Sequence, residues 1–166
     1  MGERWKRFGA RTARGVFRLM DRGRDRGVAQ AARLPPTRGD FARFDGVRQC
    51  LLVSFRRSGE PMPSPINFGL SEGKLYIRTD GSTGKVKRLR NDPRAVLMPC
   101  GLRGKPAGEA VAATARFLPA HEEKRADDVI AANWSPGMRV LERGLDVGAR
   151  AFGQTVVYVE FTPADG

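Results

Sequence analysis

TDGSTGKVKRLRNDPRAVLMPCGLRG, residues 79 to 104, orders the reading of the whole chain. Its first residues make a turn that opens into a short helix carrying Lys85, Lys87, Arg88 and Arg90. Asn91-Asp92-Pro93 ends that helix, since proline cannot continue it, and an apolar strand from Ala95 to Cys100 follows. The charge order is unfavourable for the helix by itself. A cation in the first turn faces the positive end of the helix dipole, at a cost on the order of 0.3–1 kcal/mol. Lys85 and Lys87 sit just beyond the expected caps Ser82 or Thr83, where that cost applies. An external anion resolves the conflict, because it meets backbone N–H groups, hydroxyls and ammonium groups together. Phosphate is the obvious candidate.

Short strands surround this segment. Val47 to Arg56 is rich in β-formers, and Ser58-Gly59-Glu60 makes a turn. Pro63 to Leu70 runs extended because its prolines exclude helix. Ser71-Glu72-Gly73 turns the chain again into Lys74 to Thr79, which alternates apolar and polar residues. Beyond Cys100, Gly101 to Gly108 is a glycine-rich loop and Glu109 to Leu118 a further strand. Helical stretches follow at about 121–132 and 136–149, and Gln154 to Phe161 closes the chain as a strand. Six short strands with hairpin-length turns and late helices predict a small antiparallel barrel, mainly β in class with short flanking helices.

Composition bounds the rest. The 166 residues suffice for one domain with a core and an appendage, and a 40% hydrophobic fraction argues for a folded globule. Net charge is +12, unevenly spread. Residues 1–37 hold ten Lys or Arg against three acids, so they read as a basic arm, helical or disordered, ahead of a domain over 38–166. Arg11, Arg14, Arg18 and Arg22 share a helical stripe, which suits an anionic membrane surface or a partner. Within the domain the positive charge concentrates on residues 78–105. Such a field attracts polyanions, but the basic stretch 82–94 has no aromatic residue on which a base could stack, which disfavours nucleic acid.

Cys50 and Cys100 stand far apart, and His121 is the single histidine, so no metal site is expected. No apolar run approaches the roughly 20 residues of a membrane span. The N-terminus lacks the apolar core of a signal peptide, and a cytoplasmic location is the default expectation. No Ser-His-Asp set, Cys-His set or pair of catalytic carboxylates stands out.

The succession of S-G-E-P turn, P-S-P-I-N strand, K-L-Y-I-R-T strand, T-G-K-V-K-R-L-R helix and D-P-R-A-V-L-M-P-C strand resembles the split β-barrel flavin and deazaflavin oxidoreductases. Within them it is similar to the pyridoxamine-phosphate-oxidase-like group that uses coenzyme F420. The resemblance covers roughly residues 41–161 and leaves the basic arm outside. It implies a six-stranded split barrel, assembled as a homodimer, with cofactor in a groove at the dimer interface. Lys85, Lys87 and Arg88 would hold the phosphate-bearing tail, with hydroxyl contacts from Thr79, Ser82 and Thr83. Pro65 and Asn67 would line the ring system, Met98, Pro99 and Cys100 would border it, and Arg103 would reach the tail. The implied activity is hydride transfer between the deazaflavin and an unsaturated, carbonyl or quinone-like substrate. The alternative is an FMN-binding protein of the same fold, and a second alternative is a membrane-surface binder acting through the arm. The catalytic residue stays open, with Tyr76, Cys100 or water as proton donors.

Overall fold

The computed structural model describes residues 27–101, 104–134, 137 and 155–164. Seven strands form one antiparallel sheet: β1 (Gln49–Phe55), β2 (Pro61–Asn67), β3 (Gly69–Ser71), β4 (Lys74–Asp80), β5 (Arg94–Cys100), β6 (Val111–Phe117) and β7 (Val156–Pro163). Helix α1 (Val28–Ala31) precedes the sheet, α2 (Gly84–Asn91) joins β4 to β5, and α3 (Ala120–Ala132) follows β6. The order across the sheet is β2-β1-β5-β6-β7-β4-β3.

That order forces the sheet to curl. Its two edge strands, β2 and β3, are separated in sequence only by Phe68, so the edges meet there. The result is an antiparallel barrel left open at the seam. The strand count is therefore seven rather than the expected six, and Phe68 is the reason. The stretch Pro63 to Leu70, expected as one strand, is split so that its first part pairs with β1 and its last part with β4. Phe68 itself turns into the barrel, 1% exposed, with its ring edge-on to Phe44 at 5.8 Å.

Alternation along the strands sorts side chains into an interior and an exterior set. Cys50, Leu52, Ile66, Leu75, Ile77, Leu97, Val111, Val159 and Phe161 fill the interior. Leu89 of α2 joins them, so this helix plugs one end of the barrel. Outside, α3 covers β4 and β7 through Ala126 and Ile130 against Tyr76 and Tyr158. The approach is close at Gly69, where a Cβ would lie 2.5 Å from the Val129 carbonyl oxygen, so only glycine fits. The β3–β4 hairpin turns through Glu72 (φ 52) and Gly73 (φ 70), the left-handed pair of a two-residue hairpin turn.

A second exterior face, on β1 and β5, lies under α1. Val28, Ala31 and Ala32 share a buried cluster with Leu51, Val53, Val96, Met98 and Cys100. Burying one valine contributes about 1.5–3 kcal/mol and each alanine methyl less than about 1. Ordering the backbone costs roughly 1–2 kcal/mol per residue, which offsets much of that gain and leaves a weak clasp. Downstream, Thr37 bridges to Val111, donating its backbone N–H to the Ala110 carbonyl at 2.8 Å and thereby anchoring the chain on β6.

Candidate functional site

The α2 entry is built by its own sequence. Asp80 ends β4 and folds its carboxylate over the turn, accepting the Ser82 N–H at 2.7 Å. The Thr83 hydroxyl donates to the Asp80 carbonyl at 2.8 Å and makes no capping bond to the helix. The first helical bond runs from the Lys87 N–H to the Thr83 carbonyl at 3.2 Å. The N–H groups of the first turn have no partner within a helix, and here no side chain of the N-cap residue meets them.

Arg88 reaches back over that turn, the direction that helical side chains take. A Cβ on Gly84 would lie 3.0 Å from its guanidinium. Its Nε donates to the Ser54 hydroxyl at 2.9 Å, and Ser54 is completely buried. Burial, then the charge of Arg56, push the Arg88 guanidinium below its ordinary range. Among the described residues no carboxylate forms an ion pair with Arg88. Lys85 is half-buried and Lys87 exposed on the same helix. The end of the barrel thus gathers cations at a helix N-terminus, an arrangement suited to a phosphate or carboxylate group. Thr79 is half-buried where β4 leads into this turn.

The expected ring-side residues lie on the barrel wall. Leu51 pairs with Pro65 on one side and Met98 on the other, so Pro65, Leu51 and Met98 form one row across β2, β1 and β5. Gln49 likewise pairs with Asn67 and Cys100. Both rows face outward, on the α1 side. Pro99, one residue between Met98 and Cys100, pairs with Cys50 and faces the interior side, away from these rows. Along β1 the Leu51 row lies about 10 Å from Ser54 at the α2 end. Gln49 donates its side-chain N–H to the Asn67 oxygen at 3.2 Å, which orients the Asn67 amide. Arg103 lies outside the described residues.

The chemistry of the neighbouring groups is constrained. Burial pushes the Cys100 thiol up to about 11. Burial and then Cys100 raise Cys50 as well, so neither is a ready nucleophile. Tyr76 sits under α3 on the opposite wall, raised first by burial and then by its hydrogen bond to Glu160. It is therefore remote from the Pro65 and Met98 row, whereas Cys100 adjoins it. Among the described residues no group of three or more His, Cys, Asp or Glu could hold a metal, and no helix is long and apolar enough to cross a membrane.

Three participants escaped the sequence reading. Ser54, a lone hydroxyl in the apolar run of β1, was a visible signal; Arg56 and Gln49 were not, because the β1–β2 hairpin brings the first to the site and strand register the second.

No family model matches the chain, and no curated protein matches it. Solved structures do. A candidate 5-nitroimidazole antibiotic resistance protein from Bacteroides thetaiotaomicron is 16% identical, with a TM-score of 0.54 over 76% of this chain and 81% of that one. A protein of unknown function from Agrobacterium tumefaciens is 15% identical, TM-score 0.56, over 80% and 58% of the two chains. A heme binding protein from Mycobacterium smegmatis is 16% identical, TM-score 0.51, over 78% and 52%. At these identities the likeness is one of fold.

Proposed function

We propose that this chain is a coenzyme F420-dependent oxidoreductase, with the phosphate-bearing tail of the deazaflavin held at the start of α2. One observation carries the reading. Arg88 is a partly buried cation, disfavoured by burial and by Arg56, with no carboxylate counter-ion among the described residues. A protein maintains such a group at a cost unless an anion meets it. Lys85, Lys87, the first-turn N–H groups and the Ser82 and Thr83 hydroxyls complete the receptor. The residues fit the group at both ends. The α2 cations suit its phosphate, and the flat apolar row of Pro65, Leu51 and Met98 suits a ring system.

When bound, the deazaflavin supplies hydride transfer, and the protein binds and orients it. Arg88 would fix the tail, and Ser54 would hold the Arg88 guanidinium in place. Asn67, oriented by Gln49, would offer its amide N–H group to a ring carbonyl. Pro65 and Met98 would exclude water from the reacting face. The acceptor is a small unsaturated, carbonyl, quinone-like or nitro compound, the last suggested by the resistance protein of similar fold. The reading includes a homodimer, checked by sedimentation of the intact chain.

FMN on the same fold is the alternative. The cations beyond Arg88 favour a tail with several negative charges over a single phosphate. Heme is not favoured, because the sole histidine, His121, is 80% exposed on α3. Absorbance and fluorescence titration of the purified protein separates the readings. The proposal expects saturable quenching by F420 and weaker binding of FMN. Tight yellow FMN binding without affinity for the deazaflavin would replace it with the alternative.

A further inference from the structure

We infer that α1 is a displaceable latch over the ring-binding wall, an autoinhibitory contact that the cofactor must open. The inference rests on the proposed cofactor site and concerns its regulation. Pro65, Met98 and Cys100 are the residues assigned to the ring side, and they lie where α1 packs. Val28, Ala31 and Ala32 are each less than 9% exposed and share one cluster with Leu51, Met98 and Cys100. Gly104 completes the cover. It has a positive φ of 79°, and a Cβ there would lie 2.9 Å from Pro65 Cγ and 3.3 Å from Val28 Cγ2. A flat ring over the Leu51 row would occupy the volume of these groups, so ring and α1 exclude one another.

The contact is built to yield. It consists of one valine and two alanines on a four-residue helix, with no side-chain cap at its start. No salt bridge or side-chain hydrogen bond is formed by Val28, Ala31 or Ala32, whose side chains are aliphatic. Downstream, among the described residues, the chain is next hydrogen-bonded to the barrel at Thr37, whose N–H meets the Ala110 carbonyl, so α1 can swing away about that point while the barrel stays intact.

The two cysteines report this motion separately. Cys100 belongs to the cluster under α1, whereas Cys50 belongs to the barrel interior. Opening the latch exposes Cys100, and only unfolding of the barrel exposes Cys50. The test compares the wild-type protein with Ala31→Arg, which places a charge in the contact, and with the milder Ala31→Gly. Maleimide labelling at each cysteine is followed by mass spectrometry, and the association rate of F420 by stopped-flow fluorescence. Ala31→Arg should speed Cys100 labelling by about tenfold, the change that about 1.4 kcal/mol of lost clasp energy gives. Cys50 should stay protected, and F420 association should accelerate. Binding by the variant but not by the wild-type chain also supports the latch. Tight wild-type binding with Cys100 labelling and association unchanged in both variants overturns the latch and leaves the cofactor site standing. Absence of F420 and FMN binding in every form overturns both. Cys50 labelling in step with Cys100 overturns the latch too, since the exposure is then global.

Discussion

Arg88 is the side chain on which the proposed function turns. It bridges the buried Ser54 hydroxyl and the first turn of α2, and it bears a charge that its surroundings disfavour. Replacing it by glutamine keeps an N–H donor for Ser54 and removes the charge. We expect Arg88→Gln to weaken F420 binding at least about tenfold, or 1.4 kcal/mol, with little change in thermal stability. Lys85→Ala should weaken binding by a similar factor, read by fluorescence titration; an unchanged dissociation constant in both variants would remove the assigned roles. The sequence singled out Lys85 and Lys87 because a basic first turn contradicts the helix dipole, and Arg88 through the resemblance. It could not disclose Arg56, which reaches the same place only through the β1–β2 hairpin. Nor could it show that Pro99 faces away from Met98 and Cys100, a consequence of alternation once the strand register is fixed.

Elements were legible where their signals were local. Asn91-Asp92-Pro93 ends α2 as expected, and the alternation of β4 and the boundaries of α3 follow the pattern of the chain. The division of β2 from β3 was not legible, because it depends on Phe68 packing against Phe44 and on α3 closing over Gly69. Apart from Gly137, the expected helix at 136–149 lies outside the described residues, as does most of the basic arm. Gly69→Ala tests the close approach. Its methyl would meet helix backbone, and overpacking of this kind costs about 1–3 kcal/mol, which a urea melt would show as a lower midpoint. Glu160 offers a test by pH. Burial would raise its carboxyl, but hydrogen bonds from Arg116, Lys74 and Tyr76 outweigh this and hold it below its ordinary value of 4.5. A depressed folded-state value means the stabilisation is full above 4.5 and drains away as pH falls through the depressed value. Glu160→Gln should lower stability at neutral pH by about 1–3 kcal/mol and flatten its acid dependence. Asp92, held down by Arg94, and Glu122, held down by Arg116, keep part of the slope. An unchanged acid profile would show that Glu160 is not the titrating group.

At the scale of the molecule, a curled sheet places a cationic helix start at one end and an apolar wall along one side. On the proposed function the first would receive a charged tail and the second a ring, with α1 between the wall and solvent. The mainly β, antiparallel fold class was readable from strand rhythm, apart from the seventh strand that the break at Phe68 creates. On the proposed function, the compound reduced would be set by surfaces that strand rhythm does not encode. The central claim is that α2 holds the anionic tail of the cofactor. It is tested most directly by titrating the wild-type protein with F420 and with the same deazaflavin ring system stripped of its phosphate tail. The account predicts that loss of the tail weakens binding at least about tenfold, and that added salt weakens F420 far more than the stripped ring. Equal affinity for the two, with equal response to salt, would contradict it.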